Sequence, residues 1–219
     1  MEYREDYHRE LQAVRDAVLE IGTLVMHQVR QAFIALDTQN TQLAGEILEA
    51  DKEVDALQYR IEDRCARIMA TEQPVAGDLR ELVTTIKIVS NMERIGDHAK
   101  HLIKALDRVS KPALEDAIPR LRRMADRGLE MLEETLRAFE SRDFQQVIAI
   151  AQRDEEIDRM RHEYHDYLLN TMKSNPGSIP DSATLMFLNR FMERLGDHVT
   201  NICEWVYFAK TGHHVDLND

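Results

Sequence analysis

Apolar residues in this chain recur at alternating steps of three and four, the spacing that places them on one stripe of an α-helix. The first stripe runs Leu11, Val14, Val18, Ile21, Val25, Val29, Ala32 and Leu36. A second extends from Leu43 to Ile68 and a third from Leu79 to Val109, and three more repeat the arrangement from Leu114 to Phe139, Val147 to Met172 and Leu185 to Ala209. The breaks between stripes carry turn chemistry. Asp37-Thr38-Gln39-Asn40-Thr41 offers capping side chains, Pro74 and Pro112 remove helical N–H donors, Ser141-Arg142-Asp143 makes a corner, and the run from Ser174 to Pro180 reads as a loop. Pro119 marks either the true start of the fourth helix or a kink in it. Short connections make neighbouring helices antiparallel. The predicted fold class is all-α: six long helices forming two tandem antiparallel three-helix bundles, over residues 1–110 and 111–219.

The halves also match residue by residue. Met92-Glu93-Arg94-Ile95-Gly96-Asp97-His98 in the third helix reappears in the sixth as Met192-Glu193-Arg194-Leu195-Gly196-Asp197-His198. Asp51-Lys52-Glu53-Val54-Asp55 in the second matches Asp154-Glu155-Glu156-Ile157-Asp158 in the fifth. Strings this similar mark an internal duplication.

Those repeated strings are rich in acid. Asp51 and Asp55 lie four apart, as do Glu93 and Asp97, so each pair shares a helix face. Val54, Met92 and Ile95 put that face beside the core, so each unit is expected to gather four carboxylates. Like charges at this spacing cost a few tenths of a kcal/mol per pair, and more when partly buried. Something positive has to offset them. One reading gives that task to Arg94 and Arg194 as ordinary ion bridges; the other gives it to a metal. Oxygen ligands without Cys suit hard cations: magnesium, calcium, manganese or oxidised iron. His98 and His198 point roughly 100° away from the neighbouring aspartates and are expected outside the ligand set, near it or on the surface. Gly96 and Gly196 stand mid-helix, where Gly costs about 1 kcal/mol relative to Ala, a cost that close approach of another backbone would justify.

Composition excludes several functions. Hydrophobic residues make up 43% of the chain and charged ones 31%, enough for a core and too apolar for a disordered segment. A net charge of −12 argues against nucleic acid or anionic lipid as the main partner. The charged amino terminus and the lack of ~18 uninterrupted apolar residues point to a cytoplasmic chain that meets a membrane only through partners. Cys65 and Cys203 are expected to be buried, reduced thiols.

The repeated Glu-Arg-x-Gly-Asp-His, the Asp-x-x-x-Asp one helix earlier and Gln73-Pro74-Val75-Ala76-Gly77-Asp78-Leu79-Arg80 together resemble the PhoU family of phosphate-signalling regulators, over essentially the whole chain. The resemblance implies a twin three-helix-bundle fold and multinuclear metal clusters, of iron in some members and of manganese, magnesium, zinc or calcium in others. It implies a cytoplasmic role repressing the phosphate-starvation response when phosphate is plentiful. The implied partners are a PhoR-type sensor histidine kinase and the PstB-type ATPase of a phosphate ABC transporter. The family's Glu-Arg-x-x-Asp-x-x-x-Asn is complete at Glu193, Arg194, Asp197 and Asn201, whereas the first half departs from it at His101. The expected metal set is therefore Asp51, Asp55, Glu93, Asp97, Asp154, Asp158, Glu193, Asp197 and Asn201.

Three functional classes follow. A regulator would dock through a long helical face, to which Met124, Met131, Arg122 and Arg123 are candidate contributors. A carboxylate-bridged di-iron enzyme would need Glu-x-x-His on paired helices, but only Glu5-x-x-His8 fits, so no enzymatic activity is expected. A structural scaffold would join the bundles end to end. Symmetry between a regulator and its partners favours a homodimer.

Overall fold

The computed structural model describes residues 2–142 and 144–218, apart from the side chains of residues 2–4; Asp143, in the predicted fourth corner, lies outside them, as do Met1 and Asp219. The apolar stripes become helices α1 (Glu2–Thr38), α2 (Thr41–Glu72), α3 (Ala76–Ile103), α4 (Lys111–Ser141), α5 (Val147–Ala151), α6 (Asp154–Ser174) and α7 (Ile179–Thr211). Among the described residues there is no strand. Asn40 caps α2 as its side chain suggests, its Oδ1 accepting the Leu43 N–H at 3.0 Å. Gln73 and Arg142 end their helices in the left-handed conformation at φ 48° and 57°, a stop usually left to glycine.

Two boundaries differ from the periodicity. Pro119 neither starts nor ends α4, which begins at Lys111 with Pro112 in its first turn. Pro119 is exposed, so water can take the carbonyl that it leaves without a helical partner. The predicted fifth helix is split into α5 and α6 by a tight turn at Gln152 and Arg153, where the Arg153 N–H bonds back to the Ile150 carbonyl at 3.1 Å. Arg153 then pairs with Glu134 of α4 at 2.6 Å, which leaves Asp154, Glu155 and Glu156 in the first turn of α6. Carboxylates are favoured there by the helix dipole.

Within each half, the helices pack against one another: α1, α2 and α3 in the first, α4, α6 and α7 in the second. The halves then lie side by side, not end to end. The third helices of the two units, α3 and α7, make the most extensive helix pairing in the chain, and α1 packs on α4. α3 and α7 run antiparallel, as the pairs Thr84 with Trp205 and Asn91 with His198 show, and beyond the end of α3 Ser110 meets Asp181 in the first turn of α7. Buried apolar side chains from both halves form one continuous core. Met124 and Met131 belong to it and are fully buried, so they do not serve a docking face. Arg122 is likewise occupied, bonding Asp37 and the Phe33 carbonyl of α1 across the seam. Cys65 and Cys203 are buried free thiols, both pushed up to about 12 by burial.

Candidate functional site

The repeated acids do gather, one quartet in each unit, but the two quartets are neutralised differently. In the first, Asp51 on α2 faces Asp97 on α3, and Lys100 on α3 reaches both, with Nζ at 2.5 Å from Asp51 Oδ2 and 2.5 Å from Asp97 Oδ1. Gln28 of α1 completes the shell around buried Asp51, donating to Oδ1 at 3.0 Å. Burial alone would lower the Lys100 ammonium, but its bonds to the two aspartates outweigh this and raise it. Asp55 and Glu93 stand at the rim of the quartet. Burial raises both, and the neighbouring carboxylates raise them further.

The duplicated position of Lys100 is Thr200, which is buried and leaves its hydroxyl oxygen without a partner. The second quartet, Asp154 and Asp158 on α6 with Glu193 and Asp197 on α7, thus lacks the built-in ammonium. Arg190 and Arg161 engage Glu193 alone, at 2.6 and 3.6 Å. Asp154 Oδ1 is buried with no hydrogen-bond partner. Burial, reinforced by the charges of Asp197, Asp158 and Glu193, pushes the Asp154 carboxyl up to about 7. Asp197 is raised for the same reasons.

The mid-helix glycines serve these acids. A Cβ on Gly196 would overlap Asp154 Oδ1, and one on Gly96 would sit 2.9 Å from Gln28 Oε1. The close approach is therefore by a polar side chain in each case, not by a second backbone.

Other expectations need correction. Arg94 and Arg194 are exposed and form no ion pair with the acids among the described residues. The cations on the quartets are Lys100 in the first unit and Arg161 and Arg190 in the second. His98 and His198 are neither beside the acids nor on the surface. They stack on each other in the α3–α7 seam, with ring centroids 5.7 Å apart. Burial keeps both neutral, lowering His98 to about 3 and His198 to about 4, with Arg194 near the first and Arg94 near the second adding to the effect. His101 turns from the acids to stack on Phe191 of α7 at 4.2 Å. Asn201 accepts a hydrogen bond from Asn218 of the terminal tail at 3.2 Å. Glu5 and His8 are exposed at the start of α1. As the side chains stand, no group of three or more His, Cys, Asp or Glu residues among those described is arranged to hold a metal ion. The i,i+3 spacing of Asp97 and Lys100 was the local signal for this ammonium, and setting position 100 beside Thr200 shows that the second repeat lacks it.

Fold and sites together define a duplicated helical protein whose two units carry homologous acid clusters at inter-helix seams, and among the described residues no helix is long and apolar enough to cross a membrane. The family model of the PhoU domain matches residues 18–106 and again residues 121–206. The chain belongs to the PhoU family. The phosphate-specific transport system accessory protein PhoU homolog of Borreliella burgdorferi is 36% identical over 215 residues, 95% of this chain and 96% of that protein. Its counterpart in Clostridium acetobutylicum is 31% identical across 99% of both chains. The crystal structure of the phosphate transport system regulatory protein PhoU from Streptococcus pneumoniae superposes with a TM-score of 0.85 at 29% identity, covering 96% of this chain and 99% of that one. PhoU from Pseudomonas aeruginosa gives 0.85 at 30% identity, covering 94% and 100%. The family comprises accessory and regulatory proteins, not enzymes.

Proposed function

We propose that this chain is a negative regulator of the phosphate-starvation response, acting as an accessory of a phosphate ABC transporter. In this reading it is a cytoplasmic homodimer of two-repeat chains, with repeats at residues 1–110 and 111–219. It couples a PstB-type ATPase to a PhoR-type sensor histidine kinase. The observation that carries the reading is the match of both repeats, over nearly the whole chain, to accessory proteins of phosphate-specific transport. The test is alkaline phosphatase activity in phosphate-rich medium, in a bacterium deleted for its own PhoU. Restored silencing supports the regulator; persistent phosphatase in the presence of abundant folded protein argues against it.

The second quartet is also the better candidate for a cation of the kind the family implies (iron, manganese, magnesium, zinc or calcium), although its carboxylates would have to draw together to hold one. Its donors are hard oxygens, one of them buried without a partner, and no lysine fills the site. Asp154, Asp158, Asp197 and Glu193 would hold the ion, with Asn201 joining only if it gave up Asn218. Such an ion would supply the positive charge that Lys100 supplies in the first unit. There Asp51, Asp55, Glu93 and Asp97 would have to release an ammonium first. The parent chain is therefore expected to bind cations in the second unit only, Lys100→Thr to add sites in the first, and Thr200→Lys to remove those in the second. Metal content by mass spectrometry after loading with each of the five ions reads this out, and a parent chain that retains none of them sinks the idea.

A further inference from the structure

Away from the quartets, cations gather at the turn after α3. The turn after α3 brings Lys104 and Arg108 against the first turns of α7, enclosing a cleft of ≈ 330 Å³ that is also lined by His101, Thr184, Phe187 and Phe191. Neither Lys104 nor Arg108 forms an ion pair among the described residues. No acid lines the cleft among the described residues, although Asp97 acts on His101 from the quartet. Asp181 is held by Ser110, which donates its backbone N–H at 3.0 Å and its hydroxyl at 2.5 Å, and Asp107 does not line the cleft. Burial lowers the His101 imidazole, and the positive field of Lys104 lowers it further. Such a pocket is unexpected in a protein of net charge −12.

The opposite wall is aromatic. Phe187 keeps 68% of its surface exposed although it stands on a core helix. One helical turn on, the Phe191 ring is already faced by His101 at 4.2 Å and His98 at 5.3 Å, so the ring left open is that of Phe187. Flat rings beside unpaired Lys and Arg make the two-part surface that recognises a base joined to a phosphate: the π-face takes any base, and the cations take the oxyanion. The volume lies at the lower end for small-ligand sites, which suits one nucleotide and not a dinucleotide.

We propose that this cleft binds a nucleoside phosphate, its base against the open ring of Phe187 beside the Phe191–His101 stack and its phosphate on Lys104 and Arg108. The site is independent of both the acid quartets and the regulator reading. Thr184, whose hydroxyl donates to the Pro180 carbonyl at 3.2 Å, keeps lone pairs free to accept from a ribose hydroxyl.

The test is isothermal titration of the full chain with AMP, ATP, adenosine and inorganic phosphate, each against Phe187→Ala and Lys104→Ala/Arg108→Ala. All three substituted side chains are exposed, so the fold is expected to survive, and circular dichroism checks that it does. AMP or ATP should bind saturably and at least about tenfold more tightly than adenosine or phosphate alone. Phe187→Ala should bring the nucleotide down toward the level of phosphate, and the double variant toward that of adenosine. The proposal is overturned if neither nucleotide binds, if phosphate binds as tightly as AMP, or if both variants retain parental affinity.

Discussion

At the scale of single residues, the two acid quartets are read most sharply through the glycines beside them. Gly196→Ala would gain helix propensity, but its Cβ would overlap the buried Asp154 carboxylate and press on Ile157, so a net loss of about 1–3 kcal/mol is expected by urea denaturation. Gly45→Ala, with nothing within 4 Å, should instead gain roughly 0.5–1 kcal/mol. Equal effects at the two positions would contradict the packing described. Titration gives a second handle. Asp154 protonates at about 7 in the folded chain against ~3.9 when unfolded. As pH rises the unfolded chain loses this proton first, so the contribution of Asp154 falls from pH ~4 to about 7 and is flat above. Asp154→Asn should abolish that fall and leave the metal-free protein more stable at alkaline pH. His98 and His198 act in the opposite sense. Unfolded histidine takes a proton at ~6.5, whereas the folded pair resists until about 3 and about 4, so their contribution is lost as pH drops below ~6.5. His98→Phe, which keeps a ring against Phe191, should flatten the acid side of the stability profile. The sequence revealed which residues were unusual, since acids at i and i+4 and mid-helix glycines stand out in one dimension. Their partners were less legible, because Gln28 reaches Asp51 from another helix and Lys100, a close neighbour of Asp97, reaches Asp51 only by side-chain length.

At the scale of elements, periodicity located all the long helices because burial of one stripe is what builds them. It missed the division of α5 from α6, which no Pro or Gly announces. At that turn Arg153 reaches Glu134 on another helix, and long-range pairing leaves no local mark. Pro119 shows the converse, a strong local breaker overruled because its neighbours Ala117, Ile118 and Leu121 are buried in the core. The overruling has a cost. Pro119→Ala restores a helical N–H donor and should raise stability by about 1–2 kcal/mol in thermal or urea unfolding, the gain being trimmed by the looser unfolded chain. A destabilised variant would mean that the proline is needed where it stands.

At the scale of the whole molecule, the two units share one core through α3, α7, α1 and α4, so they are expected to unfold together. Calorimetric and van't Hoff enthalpies should agree in a single transition, and residues 1–110 expressed alone should lack sharp side-chain NMR signals because the α3 seam is bare. Two separate transitions would show that the repeats are autonomous. The duplication itself was readable from the repeated strings, but the side-by-side docking was not, since the histidines that stack in the seam look like surface residues on a helical wheel. Lys100 gives this pairing a last consequence. An ammonium on a side chain is synthesised with the polypeptide; no chelator removes it and no shortage withholds it. The first repeat thus carries its own counter-charge, while in the proposed reading its twin would draw one from the surroundings. Any dialogue with dissolved ions would then be one-sided, with the fixed half as reference and the other as variable.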